Sequence, residues 1–380
     1  MTAIQGVPPE RRAAGALITR VASSLDELRA LRAEWDALHT TSGATTPFNS
    51  CAWVTHWWQA FGRSRGWRRD FLQVLVQRDA DGMARAIVPL VLTSLGPGPL
   101  SIRKLRPCGS VRQRNLTEIP TPLVWPGFEA QSVDELLRFL GAETSRFHWC
   151  DLLVPEGGAL GARFREQAGG SPAIWRKQIT NYVLALPGTW EELRARLRRN
   201  IKESLRHCYN SLAREGLKWT FDVVKDPARV AAVMADFLRL HRARARSNKG
   251  PLHLDQFPDE DHRAFLLGVT ADLAASGAAG IGELRIGGVL AASRVVFTYG
   301  DGVYLYYSGF DPRWSRHSVS TLLVAECIKW AIDRGSRFIS LSLGKDVSKT
   351  RWDPDPHELT WLRIPGGAVA GSLVLRLNSH

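Results

Sequence analysis

The sequence predicts a mixed α/β (α+β) fold of two tandem units, each a mostly antiparallel sheet flanked by helices. Three observations predict it. At 380 residues the chain exceeds the roughly 100 to 200 that one core usually serves. Its apolar positions change period along the chain, from every third or fourth residue to every second and back. Both halves also pass through one order of helices, antiparallel meander, helix and further strand, which implies duplication of structure without letter-by-letter repetition. The run Gly169-Gly170-Ser171-Pro172 places the boundary, giving units of residues 1–171 and 172–380.

The first helix follows from Leu25, Leu28, Leu31, Trp35 and Leu38 behind the cap Ser24, an amphipathic spacing with charges between. After Pro47, Trp53, Trp57 and Phe61 repeat that spacing and Gly62 closes a second, aromatic-faced helix. Phe71–Arg78 and Ala84–Thr93 are β-rich runs around Asp79-Ala80-Asp81-Gly82, a hairpin signature. A helix over Val133–Ala142 and an apolar strand over Trp149–Pro155 complete the first unit.

In the second, Gln178–Leu186 reads as a strand and Pro187-Gly188 as a turn into one long basic helix, Glu191–Arg214, closed at Gly216. Helices follow over Pro227–Arg246 and Asp261–Ser276, separated by the loop Ser247–Pro258. Ile281–Arg285, Gly288–Thr298 and Val303–Ser308 are joined by Ile286-Gly287 and Gly300-Asp301-Gly302, which predicts an antiparallel meander. A helix begins near Ser318 and ends with Arg334 in its last turn and Gly335 beyond it. Phe338–Leu343 is a short strand, with Glu358–Ile364 a candidate for another.

Composition narrows the function classes. With 44% hydrophobic and 23% charged residues the chain is neither disordered nor low-complexity. No apolar run approaches the 18 or so residues of a membrane span, and Ala13–Thr19 behind Arg11 and Arg12 is too short for a secretory signal; the expectation is a cytoplasmic protein. Five scattered cysteines, without a Cys-x-x-Cys pair, suit a reducing compartment and predict no metal site. The formal charge is +13, and residues 194–249 carry 15 Lys/Arg against 5 Asp/Glu, a field that attracts acidic or phosphorylated partners. On one helix, Arg194, Arg198, Lys202 and Arg206 form a single stripe, equally readable as a solvated face. Trp53, Trp57 and Trp330 read as core. Trp58 and Trp67, if exposed together, would mark a partner or ligand surface.

The segment Gly309-Phe310-Asp311-Pro312-Arg313-Trp314-Ser315-Arg316-His317-Ser318-Val319-Ser320 leads from a strand through an irregular turn to a helix N-terminus, where unpaired amides and the dipole favour phosphate. A plain cap at Ser318 with solvated arginines accounts for the same residues. Strand alternation puts Tyr304 and Tyr306 on one face and Tyr307 on the other. His317 is the group there that titrates nearest neutrality.

The passage Val303-Tyr304-Leu305-Tyr306-Tyr307-Ser308-Gly309-Phe310-Asp311-Pro312, the helix through Ile332-Asp333-Arg334-Gly335, and Gly344-Lys345-Asp346-Val347-Ser348-Lys349-Thr350-Arg351-Trp352 resemble the GNAT-like acetyltransferase family named for bacterial cellulose biosynthesis. The resemblance covers about 190–360, with a weaker echo at Pro47–Gly62. It implies two GNAT-like domains in tandem, as in Fem-type aminoacyl transferases, the first shaping the acceptor cleft and the second binding donor. It also implies direct N-acyl transfer from an acyl thioester to a small-molecule amine. Acyl-CoA is the expected co-substrate, with acyl carrier protein or tRNA reached through 194–249 as alternatives. A non-catalytic binding protein on the same fold is a third reading. Lys349 matches the family's segment-ending lysine and would polarise the carbonyl, with Tyr307 or His317 assisting proton removal. Arg316, Ser318, Ser320, Thr321 and Arg351 would hold the donor's phosphates, and Asp346, Tyr306 and Trp352 would line the substrate. The chain departs from the pattern at Ser340, Lys345 and Ser348, where the family usually has an acid, Asp and Tyr.

Overall fold

The computed structural model describes residues 15–366, apart from 43–45, 63, 65, 99–100, 112–113, 144–145, 169–173 and 248–252. In chain order the first half comprises β1 (Ile18–Ala22), α1 (Leu25–Thr41), α2 (Cys51–Phe61), β2 (Arg68–Arg78), β3 (Ala84–Leu95), β4 (Ile102–Pro107), the short β5 (Ser110–Val111), β6 (Arg114–Asn115) and β7 (Leu123–Val124), then α3 (Glu129–Ala142), β8 (Trp149–Pro155) and α4 (Gly158–Ala168). The second comprises β9 (Ile174–Ala185), α5 (Trp190–Arg196), α6 (Arg199–Arg214), β10 (Trp219–Val224), α7 (Pro227–Ala245), α8 (Glu260–Ala275), β11 (Ala279–Ile286), β12 (Val289–Tyr299), β13 (Gly302–Phe310), α9 (Val319–Asp333), β14 (Phe338–Leu343), α10 (Val347–Thr350) and β15 (Asp355–Pro365).

Local chemistry explains most of these bounds. Ser24 accepts from the Glu27 N–H at 3.2 Å and Glu27 accepts from the Ser23 N–H at 2.8 Å, so α1 starts on reciprocal caps. Asp226 and Asp259 accept from the third residue of α7 and α8 in the same way. The hairpin of β2 and β3, the meander β11–β13 and the helix from Ser318 follow the sequence expectation.

Several elements depart from it. The basic helix is broken: α5 ends at Arg196, and Leu197 and Arg198 are extended because Leu197, 4% exposed, turns into the core beside Leu193. Arg194, Arg198, Lys202 and Arg206 therefore do not share one helical stripe. Short β1 and β10, and α4, carry no strong periodicity and exist through their partners: β1 and β10 edge the sheet on β2 and β11, and α4 packs on α3. The expected boundary at 169–172 lies outside the described residues.

Twelve strands run in one path, β1-β2-β3-β4-β8-β15-β9-β14-β13-β12-β11-β10, with β7 beside β3. Each half repeats one plan: four antiparallel strands, then a parallel neighbour, β4 with β8 and β13 with β14. The strand after each parallel neighbour crosses over. β9, following β8, pairs β14, and β15, following β14, pairs β8, while β9 and β15 pair each other. The halves thus exchange their closing strands, which makes one hydrogen-bonded sheet of both.

They also share a core. Trp53 of α2 makes edge contacts with Phe265 of α8, Phe297 of β12 and Tyr306 of β13 at 5.1, 5.8 and 5.6 Å. Arg32 of α1 holds Asp272 of α8 through two 2.9 Å bonds, and His56 of α2 reaches the same carboxylate at 3.2 Å. Such burial is worth about 1.5–3 kcal/mol per large apolar side chain. Trp53 and Trp57 are core, while Trp58 is packed against it and Trp67 is exposed, so the last two form no joint exposed patch. α6 and α9 cover the other face of the second half, and α3 and α4 that of the first.

Candidate active site

β13 and β14 are paired only at Gly302–Phe338, Val303–Ile339 and Tyr304–Ser340. Beyond those residues the strands part, and two irregularities shape the gap. On β13 a bulge sets Arg294 opposite Ser308 but Val296 opposite Leu305, adding a residue to β13. Tyr306 and Tyr307 consequently both pack on the shared core, with ring centroids 4.5 Å apart, which corrects the expectation of opposite faces. On β14 the pairing with β9 shifts between Ser340 and Leu343, and Ser342 takes φ 80°, a conformation that costs a non-glycine residue strain.

That turn aims the Ser342 hydroxyl at Glu118, to which it donates at 2.6 Å. Glu118 comes from the first half, on the segment after β6, which lies across the gap: the Tyr306 hydroxyl donates to the Leu116 carbonyl, also at 2.6 Å. Burial pushes the Glu118 carboxyl up to about 7, against the opposing influence of the Ser342 bond and the charges of Lys349 and Arg294. Lys349, on α10, donates to the carbonyls of Leu343 and, at 3.4 Å, Gly344. Burial lowers its pKa, while Glu118 and Asp346 act to raise it. Glu118 and Lys349, from opposite halves, therefore influence each other across the gap without an ion pair. Asp346 caps α10 by accepting from the Ser348 N–H at 2.6 Å, and the Ser348 side chain first, then this amide, hold its pKa down.

A cavity of about 1010 Å³ lies between the halves beside this pair. Its lining includes Ile119 and Thr121, which follow Glu118 in the chain, and Asn181, which accepts from the Ser340 hydroxyl at 3.0 Å.

The N-terminus of α9 holds the second group of expected residues. Ser318 precedes the helix at φ 51° without a side-chain cap bond, and Ser320 and Thr321 are half-buried. Arg351 is 3.5 Å from the Thr321 hydroxyl and also donates to Ser204 of α6, so a cation sits beside the positive end of a helix. Burial depresses its pKa. That combination suits an anion.

Other expected residues are placed elsewhere. His317 is completely buried, with Nδ1 at 3.0 Å from Ser211 Oγ of α6 and Nε2 accepting from Arg316 Nε at 3.1 Å, so both ring nitrogens are engaged rather than open to the gap. Arg316 pairs with Glu215 at 2.7 Å. Trp352 is 1% exposed, in the core under α6 and α9. Of the basic segment, Arg198 pairs with Asp353 and Arg199 with Glu203.

Residues 195–350 match the family described as acetyltransferase (GNAT) domain. This segment is of GNAT type. It contains the splayed strands, α9 and Lys349, while Glu118 and Arg351 of the site just described lie outside it. The fold is similar to the crystal structure of FemX, with TM-score 0.60 at 9% identity over 92% of this chain and 98% of that one. It is also similar to a conserved protein of unknown function from Bacteroides thetaiotaomicron VPI-5482, with TM-score 0.52 at 10% identity over 91% and 100%. These likenesses concern the fold. No curated protein matches in sequence. Among the described residues, no His, Cys, Asp or Glu cluster could hold a metal ion, and no helix is long and apolar enough to cross a membrane.

Sequence reasoning missed Glu118. It lies more than 200 positions before Lys349 and in no motif. The available signal is a single carboxylate set between Leu116, Ile119 and Pro120, a charge in an apolar run that has to be explained once buried.

Proposed function

We propose that the protein is an N-acyltransferase that moves an acyl group from acyl-CoA to the amine of a small molecule by direct attack where β13 and β14 part. The observation that carries the reading is Glu118, with its pKa near neutrality, set within electrostatic reach of Lys349 across that gap. The incoming ammonium gives a proton to ionised Glu118, and the freed amine attacks the thioester carbonyl. Lys349, which spends two of its bonds on Leu343 and Gly344, has a third N–H for the oxyanion. As the C–N bond forms the C–S bond breaks, and the thiolate takes the proton shed by the new amide nitrogen, with Tyr307 as the hydroxyl at hand to relay it. Arg351, Ser318, Ser320 and Thr321 receive the donor's phosphates, and Arg316 joins them by releasing Glu215.

Direct attack is supported by the cysteines. All five are free and buried, and burial pushes every thiol up, Cys51 and Cys208 to about 11 and Cys108 and Cys327 to about 12, so none offers a thiolate for a covalent intermediate. Glu118 also supplies, from the other half, a carboxylate where β14 carries Ser340.

The test is release of free CoA from acetyl- and longer acyl-CoAs with a panel of amines. Lys349→Met should lower kcat by about 10²–10³-fold with folding intact. Failure to bind any acyl-CoA, or turnover indifferent to Lys349, would sink the proposal. The likeness to FemX favours, as a second reading, the aminoacyl-tRNA donor of Fem-type enzymes. It requires tRNA binding that weakens steeply with salt and is lost when Lys202 and Arg206 become Ala.

A further inference from the structure

Two guanidinium groups meet beside the proposed site with nothing negative against them. Arg294 of β12 donates through Nη2 to Ser308 Oγ at 3.1 Å and through Nη1 to the Tyr306 carbonyl at 3.1 Å. Arg244, near the end of α7, donates through Nη1 to the same Ser308 Oγ at 2.9 Å and lies over the Phe310 ring, 5.5 Å from its centroid. The two converge because Gly309 lets α7 close on β13. A side chain there would meet the His241 nitrogen at 2.2 Å.

Neither arginine has an ion-pair partner among the described residues. One hydroxyl oxygen is shared between two forks, and Arg294 Nε and the neighbouring His253 Nε2 are buried without an acceptor or donor. Both arginines nevertheless retain some accessible surface. Burial and the charge of Arg294 pull the Arg244 pKa down to about 10. The nearby negative charges, Glu118 toward Arg294 and Asp346 toward Arg244, act at a distance. Burying a cation costs several kcal/mol unless a partner offsets it, and two planar forks side by side match the two oxygens of a carboxylate.

We propose that Arg244 and Arg294 bind the carboxylate of the acyl acceptor, so that the acceptor is an amino acid rather than a plain amine. The inference rests on the acyl-transfer reading for the role of the bound molecule. The site is then complementary to a zwitterion: the ammonium end goes to Glu118, which gives the catalytic base its proton, and the carboxylate end goes to the arginine pair. The separation of the two ends selects among α-, β- and γ-amino acids. Ser308 keeps the forks together, and neutral His253, held so by its buried surroundings, adds a further polar contact.

The experiment is calorimetric titration of the full-length protein, without donor, with the twenty common amino acids, β-alanine and γ-aminobutyrate. The tightest binder is then compared with its amide and with its deaminated analogue. The proposal expects binding that falls at least tenfold on amidation, and about 10- to 100-fold in Arg244→Gln, the range of one charge-assisted bond. Arg244→Lys should recover part of it, and acetyl-CoA binding should be unchanged in both variants. Arg294→Gln, checked by its melting curve, should repeat the loss. No binding by any amino acid, an amide that binds as well as its acid, or loss of acetyl-CoA rather than amino-acid binding in Arg244→Gln would each overturn it. The two ideas fail separately. Carboxylate-dependent binding in a protein that never releases CoA sinks acyl transfer and keeps this site, while CoA release with carboxylate-free amines that ignores Arg244→Gln does the reverse.

Discussion

Replacing Glu118 by Gln removes a charge and keeps the shape and the hydrogen bond from Ser342. In the folded protein burial holds this carboxyl near 7 against an ordinary value of 4.5; in the unfolded chain it reverts. Below pH 4.5 both states are protonated and the group is neutral to stability. As pH rises through 7, the unfolded chain ionises first, so stability is lost, and above 7 the loss is complete at about 3 kcal/mol. Most of that change falls between pH 5 and 8. Glu118→Gln has no such dependence. Denaturant unfolding of both proteins at pH 5 and pH 8 should therefore show the variant gaining on the wild type by about 2–3 kcal/mol at the higher pH. Activity should move the other way: kcat/KM of the wild type rises through pH 7 as the base ionises, and the variant loses about 10²–10⁴-fold together with that limb. A variant that keeps the wild-type pH–rate limb refutes Glu118 as the base. A stability difference that stays flat with pH refutes the buried, shifted carboxylate on which the argument depends.

The remaining predictions concern neighbouring groups. His317→Ala should cost about 2 kcal/mol by emptying a packed position against Ser211, yet leave the pH–rate profile where it was; a shifted profile would return His317 to the chemistry. Gly309→Ala forces a Cβ to within 2.4 Å of the Leu240 carbonyl carbon, so α7 has to move. Chemical unfolding should report a loss of about 3 kcal/mol, and unchanged stability would contradict the close approach. Arg351→Ala should raise KM for acyl-CoA about tenfold or more with kcat nearly unchanged, since the cation binds donor in ground and transition states alike. A pure kcat effect would place it elsewhere in the mechanism.

Interactions between near neighbours account for the amphipathic helices α1, α2 and α9, the hairpin and meander, the caps at Ser24 and Gly335 and, through the motifs, the region around Lys349. Periodicity and turn chemistry are written into a few consecutive residues, so these elements are legible without a fold. The rest depends on residues that folding brings together from far apart. The break at Leu197 arises because a leucine is drawn into a core that helical spacing does not describe. The bulge that turns Tyr306 and Tyr307 to one side is a property of β13 paired with β12, and the burial of His317 and Trp352 follows from how α6 and α9 close over them. Most of all, Glu118 and Lys349 sit in different halves, and the near-neutral pKa of that carboxyl exists only because folding strips its water away. A pKa set by burial and a charge felt through space are properties of an environment, and no local stretch of sequence contains one.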